Sequence, residues 1–368
     1  MAKKIICTVI TDPNYDQRMQ RICTALTESG YDVLLLGRSL PHSTTLVERP
    51  YTQKRMNLLF KTSMLFYAEY NIRLFFFLLF ARFDLICSID LDSILPGWIV
   101  SRLKNKVFVH DAHELFSEMP ELDENKLAKN TWTTIEQAIF PKMRYAYTES
   151  EGYQAIYKEK YPNTDFAVIR NVPFYYETNR QIGDGEYILY QGALNVGRGL
   201  ESAILAMHNI DYKLVLAGEG ELSNDLRALV KKEQLEHKVE FLGMITPNEL
   251  REVTNKAKIG INLLTPTNRH YQLSFPNKLF DYMMAELPQI SMNFQYYQEI
   301  IGSETIGILI DDLEVATIEA AIKKLLNDEE LYQRAISSCN TLKEIHNWDR
   351  EKTKLYNFYE NIEKVEWS

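Results

Sequence analysis

KIICTVITDPNYDQRMQRICTALTESGYDVLLLG occupies residues Lys4–Gly37. Lys4–Thr11 is an apolar run that reads as a buried strand. Met19, Ile22, Cys23 and Leu26 then recur at helical spacing, and Gly30 is a stop signal. Asp32–Gly37 is a second apolar strand. Strand, helix and strand in so short a stretch specify two parallel strands joined by a crossover helix, the unit of a doubly wound α/β sheet.

The alternation continues outward from this unit. Strands are expected at Phe83–Ile89, Lys106–His110, Arg144–Ser150 and Asp165–Arg170, with helical patterns between them, one of them from Trp132. After Asn171–Pro173 comes a polar stretch, YYETNRQIGDGE, whose Gly183 and Gly185 mark the best domain boundary. A second series follows, with strands expected at Tyr187–Gly192, Lys213–Gly218, Val239–Gly243, Ile259–Leu264, Pro288–Met292 and Ile306–Ile310. The expected fold is α/β, with two doubly wound Rossmann-like domains facing across a cleft. Ligands are expected beyond the carboxyl ends of the strands, where loops enter helices.

Bulk properties narrow the function. The chain of 368 residues fits about two domains. A net charge of -9, with the acidic excess after residue 175, argues against a nucleic-acid partner. The four cysteines lack metal-ligand spacing, so neither a zinc site nor a disulfide framework is expected, and a reducing, cytoplasmic setting is. The apolar run at the start is too short for a signal peptide core. None approaches the ~18 residues that span a bilayer. The segment YTQKRMNLLFKTSMLFYAEYNIRLFFFLLFARF reads as two buried helices. Its Lys54, Arg55, Lys61, Arg73 and Arg82 among aromatics also allow a surface that touches an anionic membrane from the inner face.

Several stretches carry candidate chemistry. In YQGALNVGRGLESAILAM the glycines Gly192, Gly197 and Gly199 loosen a loop that enters a helix, and Arg198 lies in that loop. Such a loop can aim N–H groups at phosphate, although a plain loop reads equally well. Gly218, Glu219 and Gly220 form a turn at a strand end. Asp111, His113 and Glu114 cluster just after a strand, and histidine titrates near neutrality. Asp90-Leu-Asp92 is a weak acid-x-acid pattern for a divalent cation, and no metal site is expected from it. In SFPNKLFDYMMAELP, Phe280, Met283 and Met284 form a core stripe. Pro276 suits a helix start, and Lys278 in the first turn opposes the helix dipole unless an anion sits there.

Taken in order, HDAHELFSEMPEL, ESEGYQAIYKEKYP with VIRNVP, YQGALNVGRGLESAILAM, LAGEGEL, VEFLGMITPNEL and SFPNKLFDYMMAELP resemble retaining GT-B glycosyltransferases of the family 4, group 1 type. The resemblance covers nearly the whole chain. It implies an acceptor-binding domain over 1–172, completed by a C-terminal helix at 350–368, and a nucleotide-sugar domain over 173–349. Gly192 and Arg198 would line the donor diphosphate, Gly218 and Gly220 would border the nucleotide, and Gly243 with Met244 would meet its base. Ser274, Asn277 and Lys278 would hold phosphates, and Asp281 would accept from ribose hydroxyls. His113 would stand near the donor sugar with Asp111 and Glu114. Asp16 and Arg18 would meet acceptor or phosphate.

Two positions depart from the family pattern. Ala193 replaces an arginine, and Leu273, eight residues before Asp281, replaces an acid that contacts the donor sugar. The implied activity is metal-independent, retaining transfer from a nucleotide-sugar to a glycan or lipid-linked acceptor in surface polysaccharide synthesis. UDP-sugar is the expected donor and no separate cofactor is implied. A nucleotide-sugar epimerase or phosphorylase on the same fold, or a non-catalytic partner of a glycosyltransferase, are the alternatives.

Overall fold

The computed structural model describes residues 2–41, 43–61, 63–116, 125–178, 180 and 185–367. Gly183 and the SEMPEL end of the HDAHELFSEMPEL motif lie outside the described residues. The chain divides into two compact units, one of Met1–Asn171 with Glu351–Ser368 and one of Val172–Arg350.

The first unit opens with β1 (Lys4–Thr8), α1 (Gln17–Glu28), β2 (Asp32–Arg38), β3 (Thr52–Met56), α2 (Ser63–Phe80) and β4 (Leu85–Ile89). It continues through α3 (Asp90–Leu103), β5 (Val107–Ala112), α4 (Lys126–Ile139), β6 (Tyr145–Thr148), α5 (Glu151–Lys160) and β7 (Asp165–Val168). Its seven strands lie in the order β3-β2-β1-β4-β5-β6-β7, and every pairing is parallel. The apolar runs become central strands because both sheet faces are covered: β4 is buried throughout.

One expectation fails here. The segment before β4 holds one strand and one helix rather than two buried helices. β3, TQKRM, is polar because it is the sheet edge, paired only to β2, and a charged edge discourages further pairing. Arg55 on β3 binds Asp12 in the loop after β1 at 2.6 Å. α2 buries Phe66, Tyr70, Leu74 and Leu78, one residue per helical turn, against the sheet, and leaves Leu65, Ile72, Phe76 and Phe80 exposed. Among the described residues no helix is long and apolar enough to cross a membrane.

The second unit runs β8 (Tyr187–Gln191), α6 (Leu200–Ala206), β9 (Lys213–Ala217), α7 (Ser223–Lys232), β10 (Val239–Gly243), α8 (Pro247–Lys256) and β11 (Ala257–Asn262). Then come α9 (Arg269–Leu273), α10 (Asn277–Met284), β12 (Gln289–Met292), α11 (Gln295–Ile301), β13 (Gly307–Ile310), α12 (Val315–Asn327) and α13 (Glu329–Lys343). The sheet order is β10-β9-β8-β11-β12-β13, again all parallel. The units divide between Asn171 and Val172, just before the polar stretch expected as the domain boundary, and Arg180 of that stretch packs into this unit. Arg180 is buried and donates to the carbonyls of Ala257, Ala285, Thr254 and Asn255.

α14 (Trp348–Glu366) starts in the second unit, and from Glu351 onward belongs to the first. There Tyr359 is buried edge-on to Tyr31, Phe358 meets Tyr147, and the Glu351 carboxylate accepts from the Arg170 N–H at 2.9 Å.

Candidate functional site

In each sheet the strand order reverses beside the first strand, so the loops at the carboxyl ends there splay apart and leave room for a ligand. In the second unit this switch point lies between β8 and β11. The loop after β8 is fixed by its neighbours. The Gly192 N–H donates to Ala217, Leu222 donates to the Leu194 carbonyl, and Thr265 donates to the Gly197 carbonyl. Gly218 stands at φ +147°, where an added Cβ would lie 2.0 Å from the Gly192 carbonyl oxygen. At Gly220 the same atom would lie 2.3 Å from Asn195 Oδ1. The absence of side chains at 218 and 220 thus lets the two loops touch.

Lys278 and Arg198 converge on this loop. Lys278 is buried, and its Nζ lies 3.7 Å from the centre of the Tyr190 ring. Its head lies beside Gly192, whose missing Cβ would be 3.6 Å from Nζ. The Arg198 guanidinium lies 4.8 Å from the Tyr271 ring centre, and its Nε is buried with no hydrogen-bond acceptor. Burial, then the nearby Arg198 charge, push the Lys278 pKa well below its ordinary value, against the pull of Asp281. Two repelling cations therefore rest on aromatic faces, a favourable but weak neutralisation. Lys278 stands in the first turn of α10, where the helix end also presents positive charge.

The other expected residues of this unit divide. Asp281, one turn into α10, is half-buried and accepts from Gln191 Nε2 at 2.8 Å; Gln191 in turn accepts from Thr254. Asn277 is exposed at the first position of α10, and Ser274 is buried between α9 and α10. Gly243 has φ +69° and bridges to Gly218, whereas the Met244 side chain is exposed. Tyr190, Tyr271 and Gln191 carry no pattern that singles them out in sequence: an aromatic at a strand end reads as core, and Gln191 is one more strand residue.

In the first unit, Asp111 is the next-to-last residue of β5, with His113 and Glu114 just beyond the strand. His113 Nε2 lies 3.3 Å from Glu149, and Nδ1 lies 3.9 Å from Asp90. Burial works against the charged ring, but the Glu149 hydrogen bond and charge outweigh it and push its pKa up to about 10. Asp90 has φ +54° and accepts from the Glu114 N–H. Burial first, then the Glu114 charge, push Asp92 up to about 8. Among the described residues no three His, Cys, Asp or Glu side chains group to hold a metal ion.

Three expected contacts take a different place. Asp111 is fully buried and gripped by Arg18 through Nε at 2.9 Å and a terminal nitrogen at 2.8 Å. Arg18 is buried as well and also donates to the Ile169 carbonyl, so this pair joins α1 to β5. Asp16 is the N-cap of α1, accepting from the Met19 N–H and from Thr11. Sequence spacing cannot distinguish a loop acid that caps a helix from one that meets substrate.

Residues 175–339 match the family model of glycosyl transferases group 1. The match falls within the second unit. The chain is 26% identical over 190 residues to an uncharacterized glycosyltransferase of Methanocaldococcus jannaschii, covering 49% of this chain and 47% of the relative. A second uncharacterized glycosyltransferase of that organism is 23% identical over 197 residues, covering 52% of this chain and 54% of the relative. The matches thus span about half the length of these curated relatives. Sucrose-phosphate synthase from Thermosynechococcus elongatus superposes with a TM-score of 0.82 at 18% identity, covering 98% of this chain and 99% of the other.

The fold is GT-B. HepE of Anabaena, solved in complex with UDP-glucose, shares it with a TM-score of 0.77 at 14% identity, covering 99% of this chain and all of HepE. The GT-B assignment rests on two parallel Rossmann-like sheets, each with its switch point beside the first strand.

Proposed function

We propose that the protein is a retaining glycosyltransferase that moves a sugar from a nucleoside-diphosphate donor, expected to be a UDP-sugar, to a glycan or lipid-linked acceptor. The observation that carries this reading is the pair Lys278 and Arg198, held on Tyr190 and Tyr271 at the switch point of the second sheet. A diphosphate there would offer acceptors to Lys278 and to the orphaned Arg198 Nε. Asp281 would take ribose hydroxyls, held in place by Gln191. The complex of HepE with UDP-glucose supports the donor class.

In the reaction the bond from the anomeric carbon to the phosphate oxygen breaks, and charge builds on the leaving diphosphate. Arg198, Lys278 and the start of α10 stabilise that charge, the part a metal ion could otherwise play. The sugar becomes oxocarbenium-like. The acceptor hydroxyl attacks on the face the phosphate has left and gives its proton to a phosphate oxygen, which preserves the anomeric configuration. No protein nucleophile is required. Within the first unit, Glu149 keeps His113 protonated at neutral pH. The product would enter surface polysaccharide.

Incubation with a panel of UDP-, GDP- and ADP-sugars tests the reading. It expects nucleoside diphosphate release with an acceptor, a product of unchanged anomeric configuration, and loss of turnover in His113→Ala. A donor that binds yet stays intact with every acceptor would favour a non-catalytic role, which Leu273 at the end of α9 allows. Rearrangement of the donor without acceptor would instead make it an epimerase.

A further inference from the structure

The end of the first unit opposite its carboxyl-end loops carries two adjoining features. One is a cavity of about 540 Å³ under the end of α2, walled by Phe76, Phe77, Phe80 and Leu34 and rimmed by Lys4 and Arg82. Phe80 is 81% exposed and Phe76 is 53% exposed, so this apolar wall faces solvent. The other is a cavity of about 490 Å³ bounded by Trp98 and Trp367, with Lys3, Arg102 and Lys142 around it. They are neighbours because Lys3 and Lys4 are consecutive, and Arg82 lies two residues before Asp84 on the second lining.

The charges here are unusual for a chain of net charge -9. Lys3 lies over the Trp367 ring at 4.6 Å, and Arg102 lies over the Trp98 ring at 4.6 Å, with Lys142 at 5.9 Å from the same ring. Other cations nearby are neutralised: Lys106 by Asp84 and Arg144 by Glu366. Among the described residues no acid lies within ion-pair distance of Lys3, Arg82, Arg102 or Lys142. Asp84 feels the Lys3 charge, but cations outnumber acids around the two cavities, so the surface combines an excess of positive charge, two of the four tryptophans of the chain and exposed phenylalanines.

We propose that this face docks on an anionic lipid bilayer. Phe76 and Phe80 enter the acyl boundary, Trp98 and Trp367 lie at headgroup level, and Lys3, Arg82, Arg102 and Lys142 meet lipid phosphates. Indole at the interface and phenylalanine below it follow the polarity gradient of a membrane surface. A soluble polyanion would use the cations but would have no use for the phenylalanine wall. Because the protein as a whole is acidic, attraction acts only within a Debye length of the patch. The docked face lies at the amino ends of the strands, at the opposite end of the sheet from the loop that carries His113.

Co-sedimentation of the full chain with vesicles tests this. The wild type sediments with vesicles of phosphatidylcholine plus phosphatidylglycerol, stays in solution with phosphatidylcholine alone, and is released by salt. Tryptophan emission shifts to the blue on binding. The double variants Phe76→Ser/Phe80→Ser and Arg102→Glu/Lys142→Glu each reduce partitioning at least tenfold. All four side chains are solvent-exposed, so their circular dichroism melts match the wild type. Wild-type protein that stays in solution with phosphatidylglycerol vesicles overturns the proposal. So does loss of binding in the charge variant with full binding in the phenylalanine variant, which would make the patch a polyanion site.

Discussion

In the ligand-free state Lys278 is buried beside the Arg198 guanidinium, with an aromatic face as its nearest compensation. Its folded pKa is depressed, so the folded state resists protonation more than the unfolded chain does. Stability therefore rises as pH climbs through the depressed value toward 10.5, the ordinary lysine value, because the buried charge is lost. Lys278→Met should raise the melting temperature of the free protein at neutral pH and narrow that rise, while weakening UDP. A lower melting temperature would show that the cation stabilises the free fold. His113 has the opposite sign. Its raised pKa contributes stability that is complete below 6.5 and lost as pH rises toward about 10. Unfolding followed across that window should show the loss in wild type and a much smaller one in Glu149→Gln.

At the scale of elements, the contact of the β8 and β9 loops is what places Gly192 next to Lys278. Gly218→Ala adds both an overlap with the Gly192 carbonyl and a strained backbone, and Gly30→Ala is the control. Gly30 also has positive φ, at +93°, but nothing stands within 4 Å of its Cβ position. Denaturant unfolding should charge Gly30→Ala only the backbone cost of about 1–2 kcal/mol. Gly218→Ala should lose more than that and weaken UDP as well. Elements also decide what could be read in advance. Central strands such as β4 and β8 are legible because both of their faces are buried and a continuous apolar run results. β3 is not, because a charged edge strand resembles a loop. The exposed phenylalanines of α2 resemble core in sequence, which is why the segment reads as buried. The place of Lys278 and Asp281 in the first turns of α10 is legible in sequence, but the tyrosine faces beneath the cations depend on tertiary packing that spacing does not encode. Asp111 and Arg18 have functional-looking positions and a structural use, since only the fold shows that they grip each other.

At the scale of the whole molecule, the account assigns the nucleotide to the second unit alone. Its central claim is that a nucleoside diphosphate binds at Lys278 and Arg198. Anything that binds only the folded state stabilises it, by about 2.7 kcal/mol at a hundredfold excess over Kd. For a unit of this size that is a rise of several degrees. The direct measurement is the melting temperature with UDP, GDP and ADP, in wild type and in Lys278→Met, Arg198→Ala and His113→Ala. UDP is expected to raise the wild-type melting temperature, Lys278→Met and Arg198→Ala to lose the rise, and His113→Ala to keep it. No rise with any of the three nucleotides, or a full rise in Lys278→Met and Arg198→Ala, would contradict it.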